Sequence, residues 1–117
     1  MLVKTVAEQG KREYMEDTSI SYFSQQNNYH LFGVFDGHGG SEVATYCKNE
    51  FSNVLDTQIQ KMLVCKNTCN TRQIKTLSQA QLAQVVANSF LDIDKAIIHQ
   101  FPKPVGSTAS VVLITPN

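Results

Sequence analysis

A nearly continuous apolar run from Tyr29 to Phe35 ends abruptly on Asp36-Gly37-His38-Gly39-Gly40. Such a run reads as a well-buried strand. It carries a carboxylate to a sheet end, where glycines let the backbone turn sharply away. Upstream, Thr18 to Phe23 has the β-branched and aromatic content of a strand, and Gln25-Gln26-Asn27-Asn28 is a polar turn. The two runs form a hairpin whose second strand is the more buried. Val3 to Glu8 reads as a further short strand, broken by Gly10-Lys11-Arg12-Glu13.

After the glycines the apolar period changes. Ser41 is a helix N-cap candidate, and Val43, Ala44, Cys47, Phe51, Val54 and Leu55 recur at helical spacing, which predicts a helix of about four turns. Ser78-Gln79-Ala80-Gln81 has the form of a capping box, and Leu82, Val85, Val86, Phe90, Ile93 and Ile97 continue as one apolar stripe. Pro102 and Pro104 end this second helix. Gly106-Ser107-Thr108-Ala109-Ser110 then leads into Val111 to Ile114, a strand by composition. Between the helices, Lys61 to Leu77 reads as a loop with local positive charge from Lys61, Lys66, Arg72 and Lys75. A solvated charge run explains it better than a docking surface.

A chain of 117 residues allows one domain, 1–117. Lysine plus arginine is 10 and aspartate plus glutamate is 10. That balance leaves no basic field to draw the chain onto nucleic acid or an anionic membrane. Met1-Leu2-Val3-Lys4-Thr5 lacks the character of a signal peptide, and no apolar run has the length of a membrane span. An intracellular protein, cytoplasmic or nuclear, is expected. Cys47, Cys65 and Cys69 are an odd number without a second pair at zinc spacing, and read as free thiols.

The chemistry gathers in two segments, Arg12-Glu13-Tyr14-Met15-Glu16-Asp17 and Asp36 to Gly40. Hard divalent cations such as Mg²⁺ and Mn²⁺ prefer carboxylate, carbonyl and water oxygens, the ligand types that Glu16, Asp17, Asp36 and the Gly37 carbonyl offer. Two such ions sharing a carboxylate can polarise a water and clamp an in-line phosphoryl displacement. Arg12 has the planar fork that grips phosphate, and histidine, as at His38, is a residue type suited to act as general acid for the departing alkoxide. Singly, each residue has a structural explanation: a hairpin turn at Asp-Gly, loop carboxylates, a surface cation, a turn histidine. Their concentration in two short segments favours a site.

Arg12-x-x-Met15-Glu16-Asp17 and Val34-Phe35-Asp36-Gly37-His38-Gly39-Gly40 resemble the two N-terminal signatures of the type 2C metal-dependent protein serine/threonine phosphatases. Gly106-Ser107-Thr108-Ala109 with its apolar strand resembles a third, and the likeness runs through nearly the whole chain in order. The resemblance implies an α+β fold, part of an α-β-β-α sandwich of two antiparallel sheets flanked by helices, and a binuclear Mg²⁺ or Mn²⁺ site. It implies that Asp36 bridges the metals, that Glu16 and the Gly37 carbonyl complete one metal's protein ligands, and that Arg12 binds phosphate. Asp17 would orient a coordinated water, and His38 would be the general acid acting on a phosphorylated protein substrate.

The family's chains are about twice this long, and their later strands bring further aspartates to the second metal. The acidic residues after Asp36 are Glu42, Glu50, Asp56, Asp92 and Asp94, all on or beside the helices. Asp92 and Asp94 flank Ile93 of the buried stripe and so should point sideways or outward. The strand at Val111 to Ile114 is expected to lack the next strand, as in a portion of a longer protein, a truncated relative, or a chain that needs a partner to close the sheet. Three accounts stay open: a phosphatase using metal-activated water, an inactive phosphatase-like binding module, and a portion of a longer enzyme.

Overall fold

β-Branched and aromatic content in 18–23 and the apolar run 29–35 build the hairpin on which the molecule is assembled, and burial alternates along its second strand. In the computed structural model, which describes residues 1–65, 74–102 and 104–116, β1 runs Asp17–Ser24 and β2 runs Tyr29–His38. They pair antiparallel from Asp17 opposite Asp36 to Ser24 opposite Tyr29. The turn closes with the Asn28 N–H donating to the Ser24 carbonyl at 2.7 Å, Asn28 taking the left-handed conformation at φ 56°. Asparagine tolerates that region better than most residues. The expected hairpin is present, and its second strand is the more buried.

Glu42–Cys65 forms α1, a helix of 24 residues. The sequence reading stopped it near Leu55, but Phe51, Leu55, Ile59 and Leu63 are all buried at four-residue spacing, so the apolar stripe carries the helix onward. Lys61 therefore lies on α1 rather than in a loop. The rest of the expected basic loop falls mainly on residues 66–73, outside the described residues. Ahead of the second helix, Ile74–Thr76 forms a short 3-10 turn, with Ile74 and Leu77 buried.

Gln79–Gln100 forms α2. Ser78 caps it as expected: its hydroxyl accepts from the Gln81 N–H at 3.1 Å, and the Gln81 side chain accepts from the Ser78 N–H at 2.9 Å. Val85 and Ile93 are buried on its inner face, and the helix ends at Phe101, which is extended, directly before Pro102. The helices meet through an edge-to-face pair, Phe51 and Phe90, with ring centroids 5.1 Å apart. Asp92 turns sideways to accept from Gln58 Nε2, and Asp94 is exposed, so neither approaches the sheet end.

Gly106–Ser107 (β3) and Ser110–Ile114 (β4) both pair antiparallel with β2, on the side away from β1. β2 is thus the central strand. Tyr29, Leu31 and Phe35 project from it into the core with α1, whereas Phe23, Val34, Val112 and Ile114 are exposed on the opposite face. The result is an α+β arrangement, an antiparallel sheet covered on one face by helices, consistent with part of the sandwich the resemblance implies. β4 has β2 on one side. Among the described residues its other edge carries no strand.

The strand expected at Val3 to Glu8 does not form. Val3 and Val6 are exposed, and no described strand pairs with the segment. Strand content without a ladder partner does not hold an extended segment in a sheet. Of the cysteines, Cys47 is a free, buried thiol, its titration raised by desolvation. Cys69 and the Cys65 side chain lie outside the described residues.

At the far end from the glycines, one carboxylate ties the hairpin to α1. Asp56 Oδ1 accepts from Asn27 Nδ2 at 2.7 Å, Tyr29 Oη at 2.8 Å and Ser24 Oγ at 3.2 Å, and Oδ2 from Tyr22 Oη at 3.4 Å. Burial, then the bond to Asp56, pushes the Tyr29 phenol well above its ordinary 10.0, so it stays a donor. Asp56→Ala should cost about 2–3 kcal/mol in urea unfolding, since it strands several donors at once. Ser78→Ala should cost about 1 kcal/mol by the same measurement, through loss of the cap.

Candidate functional site

The ladder itself decides how the two central carboxylates face one another. Asp17 and Asp36 are register partners at the end of the hairpin. The backbone of Asp36 makes its hydrogen bonds on the other side, its carbonyl accepting from the Thr108 N–H at 2.9 Å. Toward β1 the rung is therefore non-hydrogen-bonded, the type that brings opposed Cα atoms to about 4.5 Å and their side chains closest. Both residues are exposed, on the face opposite the helices.

Like charges directly opposite on adjacent strands repel. The consequence falls on the Asp17 carboxyl. Its hydrogen bond with Asp36 holds the carboxyl above its ordinary 3.8, and the negative charges of Asp36 and Glu16 act in the same direction, while Arg12 opposes them. The pair favours holding a proton, or any cation placed between the oxygens.

Around this pair the segment before β1 closes a pocket of about 180 Å³, lined by Glu8, Gln9, Arg12, Tyr14, Met15, Glu16, Asp17, Asp36 and Gly37. Gln9 Nε2 donates to the Arg12 carbonyl at 2.7 Å across the turn that presents the guanidinium. The Gly37 N–H donates to the Glu16 carbonyl at 3.0 Å. A Cβ at Gly37 would fall 2.6 Å from that oxygen, so the two motif segments approach closely only because position 37 is glycine. Gly39 and Gly40 both take positive φ, 71° and 133°, and turn the chain into α1.

Arg12, Glu16, Asp17, Asp36 and Gly37 are thus brought together. The Glu16 carboxylate, however, accepts from the Gly40 N–H at 2.7 Å, which draws it toward the glycine turn. His38 is not among the residues lining the pocket. It is exposed two residues beyond Asp36 on the same strand face, with its ring over Gly106, where a Cβ would fall 2.5 Å from Nε2. Among the described residues no group of three histidine, cysteine, aspartate or glutamate side chains is arranged to hold a metal ion. The oxygen donors suit a hard cation in kind, and the opposed carboxylates suit one in charge.

Sequence reasoning overlooked the walls of this pocket. Glu8 and Gln9 sat in the expected strand at Val3 to Glu8 or beside it, and Tyr14 and Met15 carried no chemistry that marked them. The strong turn signal at Gly10 pointed to residues 8 and 9, since a turn there folds them back toward Arg12.

A family model described as Protein phosphatase 2C matches residues 1–117. Protein phosphatase 2C 56 of Arabidopsis thaliana is 35% identical over 81% of this chain and 20% of its own length. Protein phosphatase 2C 77 of the same plant is 33% identical over 81% of this chain and 22% of its length. A probable protein phosphatase 2C 5 of Paramecium tetraurelia is 36% identical over 76% of this chain and 25% of its length. The chain thus spans about a fifth to a quarter of the length of the curated relatives it matches, rather than the half expected from the resemblance.

The opposed pair makes a pH prediction. The folded chain holds a proton on Asp17 above pH 3.8, where the unfolded chain releases it, so the pair's contribution to stability declines as pH rises through that region. Carboxyl ¹³C NMR should find Asp17 titrating above 3.8 and returning toward that value in Asp36→Asn.

Proposed function

This chain belongs to the protein phosphatase 2C family, and on that premise we propose that it carries the phosphate-binding and first metal-binding half of a protein serine/threonine phosphatase site. The family is one of metal-dependent phosphatases. The observation that carries the reading is the rung at which two carboxylates are opposed beside Arg12, in a pocket built from the two motif segments. In this reading residues 1–117 are one incomplete domain of the full enzyme.

Asp36, Glu16 and the Gly37 carbonyl would hold Mg²⁺ or Mn²⁺. A bound ion would supply a water acidic enough to attack phosphorus near neutral pH and would neutralise charge on the phosphoryl oxygens. Arg12 binds and orients the phosphate of a phosphoserine or phosphothreonine through paired N–H donors. Asp17 accepts a proton at its carboxylate and orients water through it. His38, exposed on the strand end beyond Asp36, would donate its proton to the departing serine or threonine oxygen.

For Glu16 to serve as a ligand its carboxylate must leave the Gly40 N–H or share itself with it. That requirement also favours a second reading, in which this chain alone holds one ion weakly and acts as a phosphatase-like binding module. Hydrolysis of an aryl phosphate in Mn²⁺, combined with calorimetry, separates the two. On the enzyme reading Asp36→Asn should lower kcat/KM at least about 100-fold, and Arg12→Ala should act mainly through KM. One weak Mn²⁺ site and no turnover would select the module. An Asp36→Asn variant that binds Mn²⁺ as the parent does would remove the metal-site reading in either form.

A further inference from the structure

The sheet register is continuous across the gap between β3 and β4. Gly37 pairs with Ser107 on one side of it and Val34 with Ser110 on the other, so Thr108 stands opposite Asp36. An ordinary antiparallel rung here would exchange two backbone bonds. Only one of them forms, from the Thr108 N–H to the Asp36 carbonyl at 2.9 Å. The Asp36 N–H instead meets the Thr108 side-chain Oγ1 at 3.3 Å, and the Thr108 carbonyl accepts from Ser107 Oγ at 2.7 Å. The ladder is interrupted at Thr108 and Ala109, and the interruption falls on the rung that presents Asp36.

We propose that the Thr108 hydroxyl is a positioning group for Asp36, holding its backbone so that the carboxylate faces Asp17 and is set to take a divalent cation; this rests on the metal-site reading above. The residue type follows from the geometry. A backbone rung can be completed by almost any residue, but standing in for the missing carbonyl takes a side chain with an acceptor oxygen, which the Thr108 hydroxyl supplies to the Asp36 N–H. The register sets Asp17, Asp36 and Thr108 in one row across three strands, at the open end of the sheet. A bond of 3.3 Å at an exposed position is long and therefore adjustable. Such a bond lets Asp36 shift by small amounts as a cation binds, where a full rung would fix it.

Thr108→Val keeps the branched shape and removes the acceptor, and Thr108→Ser keeps the acceptor. Amide exchange followed by NMR reads the hydrogen bond without metal, and Mn²⁺-induced broadening of resonances around Asp36 reads the cation. In the valine variant the Asp36 amide should exchange about 2- to 10-fold faster, and the apparent Mn²⁺ affinity should fall about tenfold, both restored by serine. If the valine variant loses its dispersed spectrum, Thr108→Ala carries the same comparison. Unchanged Asp36 exchange overturns the positioning role whatever the metal does. Faster exchange with unchanged Mn²⁺ affinity also overturns it, provided Asp36→Asn loses the ion. If Asp36→Asn binds Mn²⁺ as the parent does, or the parent binds none, the metal-site reading fails first and the role of Thr108 falls with it.

Discussion

The register of one hairpin holds two like charges opposite each other, and the remaining structure is arranged so that this register cannot move. Side chains along a strand alternate with period two, so slipping β2 by one residue against β1 would send Tyr29, Leu31 and Phe35 from the core to solvent. Burying each of these is worth about 1.5–3 kcal/mol. The repulsion of two exposed carboxylates, screened by water and salt, is smaller. The core therefore prevails, the register persists, and the pair relieves itself by holding a proton or a cation.

The two ends of the hairpin are stabilised by different means. At the turn, Asp56 gathers hydroxyl and amide donors from Tyr22, Ser24, Asn27 and Tyr29, which fastens the strands to the middle of α1. At the open end the constraints are backbone ones: Gly37 lets the Glu16 carbonyl come close, and Thr108 grips the main chain of Asp36. β1 is also held from its side chains, Thr18 Oγ1 donating to the Ala44 carbonyl of α1 at 2.8 Å. A rigid turn and a site end built from glycines and a long hydroxyl bond together leave the carboxylates as the adjustable part of the hairpin.

Legibility in the sequence varied with how local the physics was. The capping box at Ser78 and the hairpin between Thr18 and Phe35 depend on neighbours within a few residues, and both were readable. The length of α1 was not, because Ile59 and Leu63 extend its stripe into a segment whose charge suggested a loop. Val3 to Glu8 had strand content but no strand to pair with, information that no local pattern holds. Arg12, Glu16, Asp17, Asp36 and Gly37 were legible as a group from their motifs, whereas the turn of Glu16 toward Gly40 and the place of His38 over Gly106 were not.

Composition and order in the chain determined which groups are present: carboxylate and carbonyl oxygens, a guanidinium, glycines where two backbones meet, and an apolar run long enough for a buried strand. These are properties of residue types and short spacings. Tertiary structure alone decided that Asp17 lies across a non-hydrogen-bonded rung from Asp36, and that a threonine 72 positions away completes the hydrogen bonding of Asp36. Which side of a strand is hydrogen-bonded, and to whom, is set by the pairing of distant segments, and that pairing is chosen by the burial of the whole core.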